Sequence, residues 1–413
     1  MSTNGRRVVV TGMGLVSPCG NDVETSWKNI VEGNSGIDLI SAFDTEGYSS
    51  RVGGEVKGFD PFDYIDRKEA KRMDRCSHLA MAAAAEAMKG RGAAEIGGED
   101  FGTIIGSGIG GIVTFEEQHS RYLDKGPRGV SPFFIPMMIA DMPSGLVSIR
   151  YGLKGPNFAT VSACASGGHA IATSYMAIRS GYCSGVLSGG TEGTISPMAL
   201  AGFCSMKALS TRNDDPKTAS RPFETGRDGF VMAEGAGLVL LEELEHARKR
   251  GADIYAEIVG AGITGDAYHM TSPVPGGVGA ARAMSMALQD AGLEPGDIDY
   301  INAHGTSTQY NDKAESEAIS AVFGGSAGPH VSSTKSSTGH LLGAAAGLEF
   351  IVCVKALLEQ TVPPTANLNE IDPDCALNHV PNTALEKSLD HVLSNSFGFG
   401  GHNVSLLLKR FDQ

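Results

Sequence analysis

Short apolar runs alternate with longer alanine-rich stretches from one end of the chain to the other. The runs VVVTGMGLVS near 8–17, GTIIGSG at 102–108 and EGAGLVLLEE at 234–243 are apolar almost throughout, as strands covered on both faces must be. Segments 78–89, 166–179, 276–291 and 338–358 instead space their apolar residues as helices do. Strands separated by helices predict an α/β fold with a parallel or mixed sheet and helices on both of its sides.

The same blocks recur in the same order. VVVTGMGLVS is answered by AEIVGAGITGD at 256–266, and GTIIGSG by DYINAHG at 299–305. ATVSACASGGHAIA at 159–172 is answered by HVSSTKSSTGHLLGAA at 330–345, and EGAGLVLLEE by GGHNVSLLLKR at 400–410. Four correspondences in order predict two α/β halves from one ancestor, residues 1–253 and 254–413, with the larger insertions in the first. Loops at the carboxyl ends of the strands in such folds carry the sites. Here they are SACASG, NAHGTST, STKSSTGH and NSFGFGG.

Composition narrows the function. Thirty-three basic against 47 acidic residues leave a net charge of −14, which argues against nucleic acid or an anionic membrane as a general partner. Seven scattered cysteines without a C-x-x-C pair argue against a disulfide framework or a zinc site and for a reducing, cytoplasmic setting. The apolar amino-terminal stretch is cut by Thr11, Gly12 and Gly14 and reads as a buried strand, not a signal peptide. Glu349 and Lys355 interrupt the longest apolar run, so no membrane span is expected.

Three positions carry candidate chemistry. Cys164 lies between a strand expected near 158–161 and the helix from Ser166, in a turn of small residues that brings the thiol to a helix mouth, where a thiolate is stabilised. The plainer reading, a small buried hydrophobe, stays equally open on the turn alone. His304 projects from a strand end, and His340 is expected at the start of the alanine-rich helix. Cys164 and Lys335 are counterparts in the repeat, so their loops should face one cleft with the two histidines. Glu349, the sole acid of its apolar stretch, needs a partner, and Lys335 is within reach. GSGIGG at 106–111 satisfies G-x-G-x-x-G, but the chain near Asp124 reads as a loop where a dinucleotide site needs a second strand. That loop is better read as a pocket wall presenting Ile109 to an apolar ligand.

VSACASG, NAHGTST, KSSTGHLLGAAAG and NSFGFGG together resemble the β-ketoacyl-[acyl carrier protein] synthases, over essentially the whole chain and nearest to the type II elongation enzymes. The resemblance implies the thiolase fold, a duplicated five-layer αβαβα sandwich, usually as a homodimer. It implies that Cys164 takes an acyl chain from acyl carrier protein. His304 and His340 then assist decarboxylation of a malonyl thioester, whose enolate attacks the acyl-Cys164 to give a 3-oxoacyl chain and carbon dioxide. Backbone N–H groups of Cys164 and Phe399 form the oxyanion hole, Phe399 gates the site, and Lys335 with Glu349 organises the His340 loop. Thr306 and Thr308 match positions that hold the pantetheine arm, with Thr271 and Ser272 as further substrate-binding positions. Ile109 and Phe203, with Phe399, match the acyl-pocket lining. Lys68, Lys71, Arg72, Arg128 and Lys207, within a basic group that also includes Arg67 and Arg75, are implied to dock the acidic carrier protein. No metal or organic cofactor is implied.

One departure is His402, where the common pattern has threonine. A polyketide ketosynthase would share this chemistry. A thiolase would use a second cysteine in place of His340, and a silent chain-length factor would lack Cys164.

Overall fold

In a computed structural model describing residues 5–90, 92 and 95–412, ten strands form one mixed sheet. In chain order they are β1 (Val8–Val16), β2 (Phe101–Gly106), β3 (Asn157–Phe158), β4 (Gly185–Glu192), β5 (Gly235–Glu243), β6 (Ala256–Gly265), β7 (Tyr300–Asn302), β8 (His330–Ser332), β9 (His391–Gly398) and β10 (His402–Arg410). Across the sheet the order is β8-β7-β9-β10-β6-β1-β5-β4-β2-β3. The order is a palindrome about the β6–β1 junction, where Val8 pairs with Ile258 antiparallel. Each half has the same pairing: its outer three strands are parallel and the rest antiparallel. Strands β1 to β5 correspond one by one to β6 to β10. The correspondence of β4 with β9, sharing Val-Leu-Ser at 186–188 and 392–394, adds a fifth block to the four read from the sequence.

Helices complete five layers. They are α1 (Arg75–Ala87), α2 (Met142–Tyr151), α3 (Ser166–Arg179), α4 (Val278–Ala291), α5 (Gln309–Phe323) and α6 (Ala345–Glu359). α1 and α2 cover the outside of the first half-sheet, and α4, backed by α5, that of the second. α3 and α6 touch strands of both half-sheets and form the middle layer. Apart from Glu349 and Lys355, the buried face of α6 therefore runs all round the helix and is apolar, with Leu348, Phe350, Ile351, Val352, Val354 and Leu357 all buried; each contributes about 1.5–3 kcal/mol. Among the described residues no helix is long and apolar enough to cross a membrane.

The repeated G-x-G in β1 and β6 has a packing cause. A Cβ on Gly12 or Gly14 would strike the Ala87 and Ala83 carbonyls of α1, and one on Gly260 or Gly262 those of Ala287 and Ala283 in α4. Glycine facing alanine lets each outer helix lie directly on its strand.

Candidate active site

The chain leaves β3 after Phe158, earlier than the strand expected to 161, and closes a single 3₁₀ turn at Ala163–Ala165 before α3. Ala163 has φ 51°, a left-handed conformation costly for a residue with a Cβ. Ser166 pins the turn: its Oγ accepts from Ser162 N–H (2.9 Å) and donates to the Ala163 carbonyl (2.6 Å). Cys164 is thus held at the turn's crest, two residues before α3. The resting thiolate expected at a helix mouth is disfavoured here. Burial pushes the Cys164 thiol up to about 12, outweighing the Lys335 ammonium and the N–H groups of Phe399 and Cys164 itself directed at the sulfur.

His304 lies just beyond β7, with its backbone clamped by Glu315 of α5, which accepts from His304 N–H (2.8 Å) and Gly305 N–H (2.7 Å). The Lys335 ammonium donates to the His304 carbonyl (2.6 Å) and lies 3.4 Å from its Nδ1. An ammonium only donates, so Nδ1 accepts and Nε2 carries the proton. His340 does not begin the alanine-rich helix. The expected helix is broken: Lys335–Thr338 forms one short turn, Gly339 (φ 71°) and Leu342 (φ 49°) redirect the chain, and α6 starts only at Ala345. His340 sits in that break, its N–H donating to Val231 (2.8 Å) and its carbonyl accepting from Ala233 (2.9 Å). Its two ring nitrogens find no partner among the described residues. Burial first, then Lys335, holds both imidazoles well below the usual histidine range, so both are neutral.

The rings of His304 and His340 meet edge to face at 5.3 Å. One donor atom from each of Cys164, His304 and His340 falls within 4.8 Å of the others. Behind them Lys335 and Glu349, each with a side chain 1% exposed, form the ion pair expected from the sequence. Burial nonetheless pushes the Glu349 carboxyl up to about 7 against the pull of the lysine.

A cavity of about 720 Å³ opens onto Cys164 and both histidines. Ile109, Phe203, Lys207, Thr271, Ser272, Thr306, Thr308 and Phe399 all line it. The segment 398–401 that carries Phe399 is tied to the segment carrying Thr271, through Gly400 N–H to Met270 (2.8 Å) and Asp266 N–H to Gly401 (2.9 Å). Gly398 is required there, since a Cβ would come 2.5 Å from the Ser162 carbonyl and 3.2 Å from Cys164 N.

Residues 5–247 match the family model described as Beta-ketoacyl synthase, N-terminal domain, and residues 255–369 its C-terminal domain. The chain belongs to the β-ketoacyl synthase family. It is 53% identical to a 3-oxoacyl-[acyl-carrier-protein] synthase 2 of Staphylococcus aureus (strain COL), over 100% of both chains. It is 51% identical to the protein of that name from Synechocystis, over 98% of both. Among solved structures, a chain of a type II polyketide acyl-carrier protein in complex with its ketosynthase superposes with a TM-score of 0.91 at 33% identity, covering 98% of this chain and 100% of that one.

Of the carrier-docking positions expected of this β-ketoacyl synthase, all but Lys207 fall outside the cavity. Lys68, Lys71, Arg72 and Arg128 are exposed; Arg72 lies over the Phe133 ring at 4.5 Å, and Lys207 alone of the docking group lines the cavity. Arg75 is withdrawn from the basic group, since it pairs with buried Glu234 at 2.7 Å. The chain before and at Asp124 is the helix Ile112–Lys125, neither a loop nor the strand a dinucleotide site needs. His402 is exposed, its ring 6.4 Å from that of His169.

Several site residues escaped the sequence reading. Phe230 stacks edge-on between Phe203 (5.3 Å) and His340 (5.4 Å). Asp312 accepts from Thr306, Ser307 and Phe223 N–H groups and faces Arg227 at 3.6 Å. With Glu315 it forms an i, i+3 acid pair in NDKAESE, a signal visible in the sequence at the start of α5. A cysteine and two histidines would also suit a soft metal ion by donor type. The same spacing brings a sulfur nucleophile and two N–H donors around one thioester.

Proposed function

We propose that this chain condenses malonyl-[acyl carrier protein] with an acyl chain carried on Cys164, giving 3-oxoacyl-[acyl carrier protein] and carbon dioxide in fatty-acid elongation. The observation that carries it is the convergence of one sulfur and two neutral imidazoles within 4.8 Å at the base of a cavity large enough for an acyl thioester. Since the resting sulfur is a thiol, attack on the incoming acyl thioester is coupled to proton loss, and His340, with unpartnered ring nitrogens, is the acceptor at hand. The acyl group moves to sulfur, and the carrier thiolate leaves as its thiol by taking that proton from His340, which returns to its neutral form. The carbonyl oxygen of acyl-Cys164 takes the two N–H groups of Cys164 and Phe399 that the sulfur held.

In the second half-reaction the malonyl carbonyl accepts from His304 Nε2–H and from His340. The carbon–carboxylate bond breaks, its electron pair becomes the enolate, and carbon dioxide departs. The enolate carbon attacks the acyl carbonyl, and collapse expels the Cys164 sulfur, which takes up one proton. Neutral imidazoles suit the task because they donate to a developing enolate without surrendering the proton beforehand. Lys335 sets the His304 tautomer, and Glu349 balances the lysine's charge.

Within this reading Thr306, Thr308, Thr271 and Ser272 hold the pantetheine arm, and Ile109 and Phe203 face the acyl chain. Lys68, Lys71, Arg72, Arg128 and Lys207 meet the acidic carrier. Residues 1–253 supply the nucleophile and 254–413 the histidines, a division supported by the palindromic sheet. The chain acts as a cytoplasmic homodimer. Support for the dimer is the edge strand β3, which has a strand partner on one side only among the described residues, with exposed Phe158 on it, Val161 just beyond it and Ile149 on α2, which packs against it. Fatty-acid elongation is preferred to polyketide assembly because the relatives at 51–53% identity are named 3-oxoacyl-[acyl-carrier-protein] synthase 2, against 33% for the chain from the type II polyketide complex.

The test is Cys164→Ala with purified acyl- and malonyl-carrier proteins. Condensation should vanish while malonyl decarboxylation stays measurable. Full condensation by the variant would remove Cys164 from the mechanism.

A further inference from the structure

Glu192 ends β4 with its side chain fully buried, and the mechanism above does not use it. Its carboxylate is ringed by donors from two separate segments. From the loop after β2, Oε1 accepts from Ser107 Oγ (3.0 Å) and Ile109 N–H (3.3 Å), and Oε2 from Gly108 N–H (2.7 Å). From the break that carries His340, Oε2 also accepts from Gly343 N–H (2.9 Å). The two segments touch only because both are glycine at the contact: a Cβ on Gly108 would come 2.8 Å from Glu192, and one on Gly343 would strike Gly108 N and Glu192. A buried carboxylate is costly without a cation, and Glu192 has none among the described residues, so its four hydrogen bonds must hold the fold together locally.

We infer that Glu192 is a positioning residue that couples the acyl-pocket wall to the decarboxylating histidine. One segment presents Ile109 to the cavity, and the other begins three residues before Gly343 with His340. An acyl chain that presses on Ile109 therefore pulls, through one carboxylate, on the backbone that aims His340. Glu192 touches neither substrate, and beyond its charge, which adds to the upward push on the Cys164 thiol, it acts through these two residues. The inference rests on the proposed condensation, since it needs an acyl pocket and a decarboxylation step.

The test is Glu192→Gln, nearly isosteric but placing an amide donor against N–H donors. Acylation of Cys164 is measured with short- and long-chain acyl-carrier donors, and malonyl-carrier decarboxylation separately. With the wall released, the long-to-short acylation ratio should rise at least threefold and decarboxylation fall at least tenfold. In an Ile109→Ala background Glu192→Gln should no longer change the ratio, a loss that general destabilisation would not produce. Should Glu192→Gln fail to fold, Ser107→Ala decides instead. It removes one donor from the wall side only, so the ratio should rise while decarboxylation changes less than threefold. An unchanged ratio in the variant that folds, or a changed ratio that persists without Ile109, overturns the inference. A wild-type protein that accepts no acyl chain at all would instead overturn the proposed function.

Discussion

Removing the Lys335 ammonium should separate two roles that one nitrogen plays. In Lys335→Ala, His304 loses the donor at Nδ1 and the tie on its carbonyl, and Glu349 loses the cation it pairs with. Removing one partner of a buried ion pair costs about 3–5 kcal/mol when the other charge stays. It need not stay here. Glu349 is already pushed up to about 7 with the lysine present, so without it the carboxyl binds a proton at neutral pH. The stability loss then shrinks toward the lysine's lost hydrogen bonds, ~1.5–3 kcal/mol for each charged one. The kinetic loss has no such relief. Without a donor at Nδ1 the His304 proton divides between its two nitrogens, and the donor aimed at the malonyl carbonyl is no longer fixed. One oxyanion-type donor is worth ~10²–10³ in rate. Decarboxylation of malonyl-carrier protein should therefore fall by about that factor, and acylation of Cys164 should slow as well, because the same ammonium holds the thiol down. Replacing both partners by apolar residues of similar size, Lys335→Met with Glu349→Leu, should restore the melting temperature. It should leave decarboxylation low. Decarboxylation within threefold of wild type in either variant refutes the role given to Lys335.

Other perturbations read out other parts of the site. His304 and His340 stay neutral down through the usual histidine range, so decarboxylation should show no acid limb near pH 6.5; a loss of rate centred there would mean that an ordinary, solvated histidine is doing the work. Activity is the right readout, since the buried histidines favour the fold above about 6.5 and lose that contribution as pH falls. The carboxyls of Glu192, Glu315 and Glu349 do the opposite, favouring the fold at low pH and losing it as pH rises through about 7. Gly398→Ala should displace the Phe399 N–H from the sulfur and slow acylation ~10²–10³-fold with the fold intact, measured by mass spectrometry of Cys164. Acylation at wild-type speed would take that N–H out of the oxyanion hole. Charge reversal at Lys68, Lys71 and Arg72 should raise KM for carrier-protein substrates at low salt and converge on wild type at high salt. A KM insensitive to both changes would make these residues an ordinary solvated face.

What the sequence made legible followed from packing. The G-x-G repeats at 12/14 and 260/262 are visible because an alanine helix lies on each, and that one constraint reveals the duplication. The duplication in turn brings Cys164 and Lys335 to one cleft. Helix α3 begins at Ser166 and ends at Arg179, as its periodicity predicts, because nothing interrupts it. The stretch 338–358 has the same composition but is cut at Gly339 and Leu342, and hydrophobic period cannot report a break made by two φ values. The thiol shows a second blind spot. The argument from a helix mouth weighs the dipole and not the desolvation, and here desolvation is larger.

Buried acids mark what period alone omits. Burial of a loop is settled by its apolar residues, yet the loop's backbone N–H groups still need acceptors, and in this site carboxylates supply them. Asp312 and Glu315 serve the His304 loop, and Glu192 joins the Ile109 loop to the His340 segment. The rule that singled out Glu349, a lone acid in an apolar run, applies equally to the last residue of GVLSGGTE. Glu349 was matched because its partner is a charged side chain that can be read from the sequence. Glu192 was missed because its partners are backbone groups, which every residue has and which only the fold brings together.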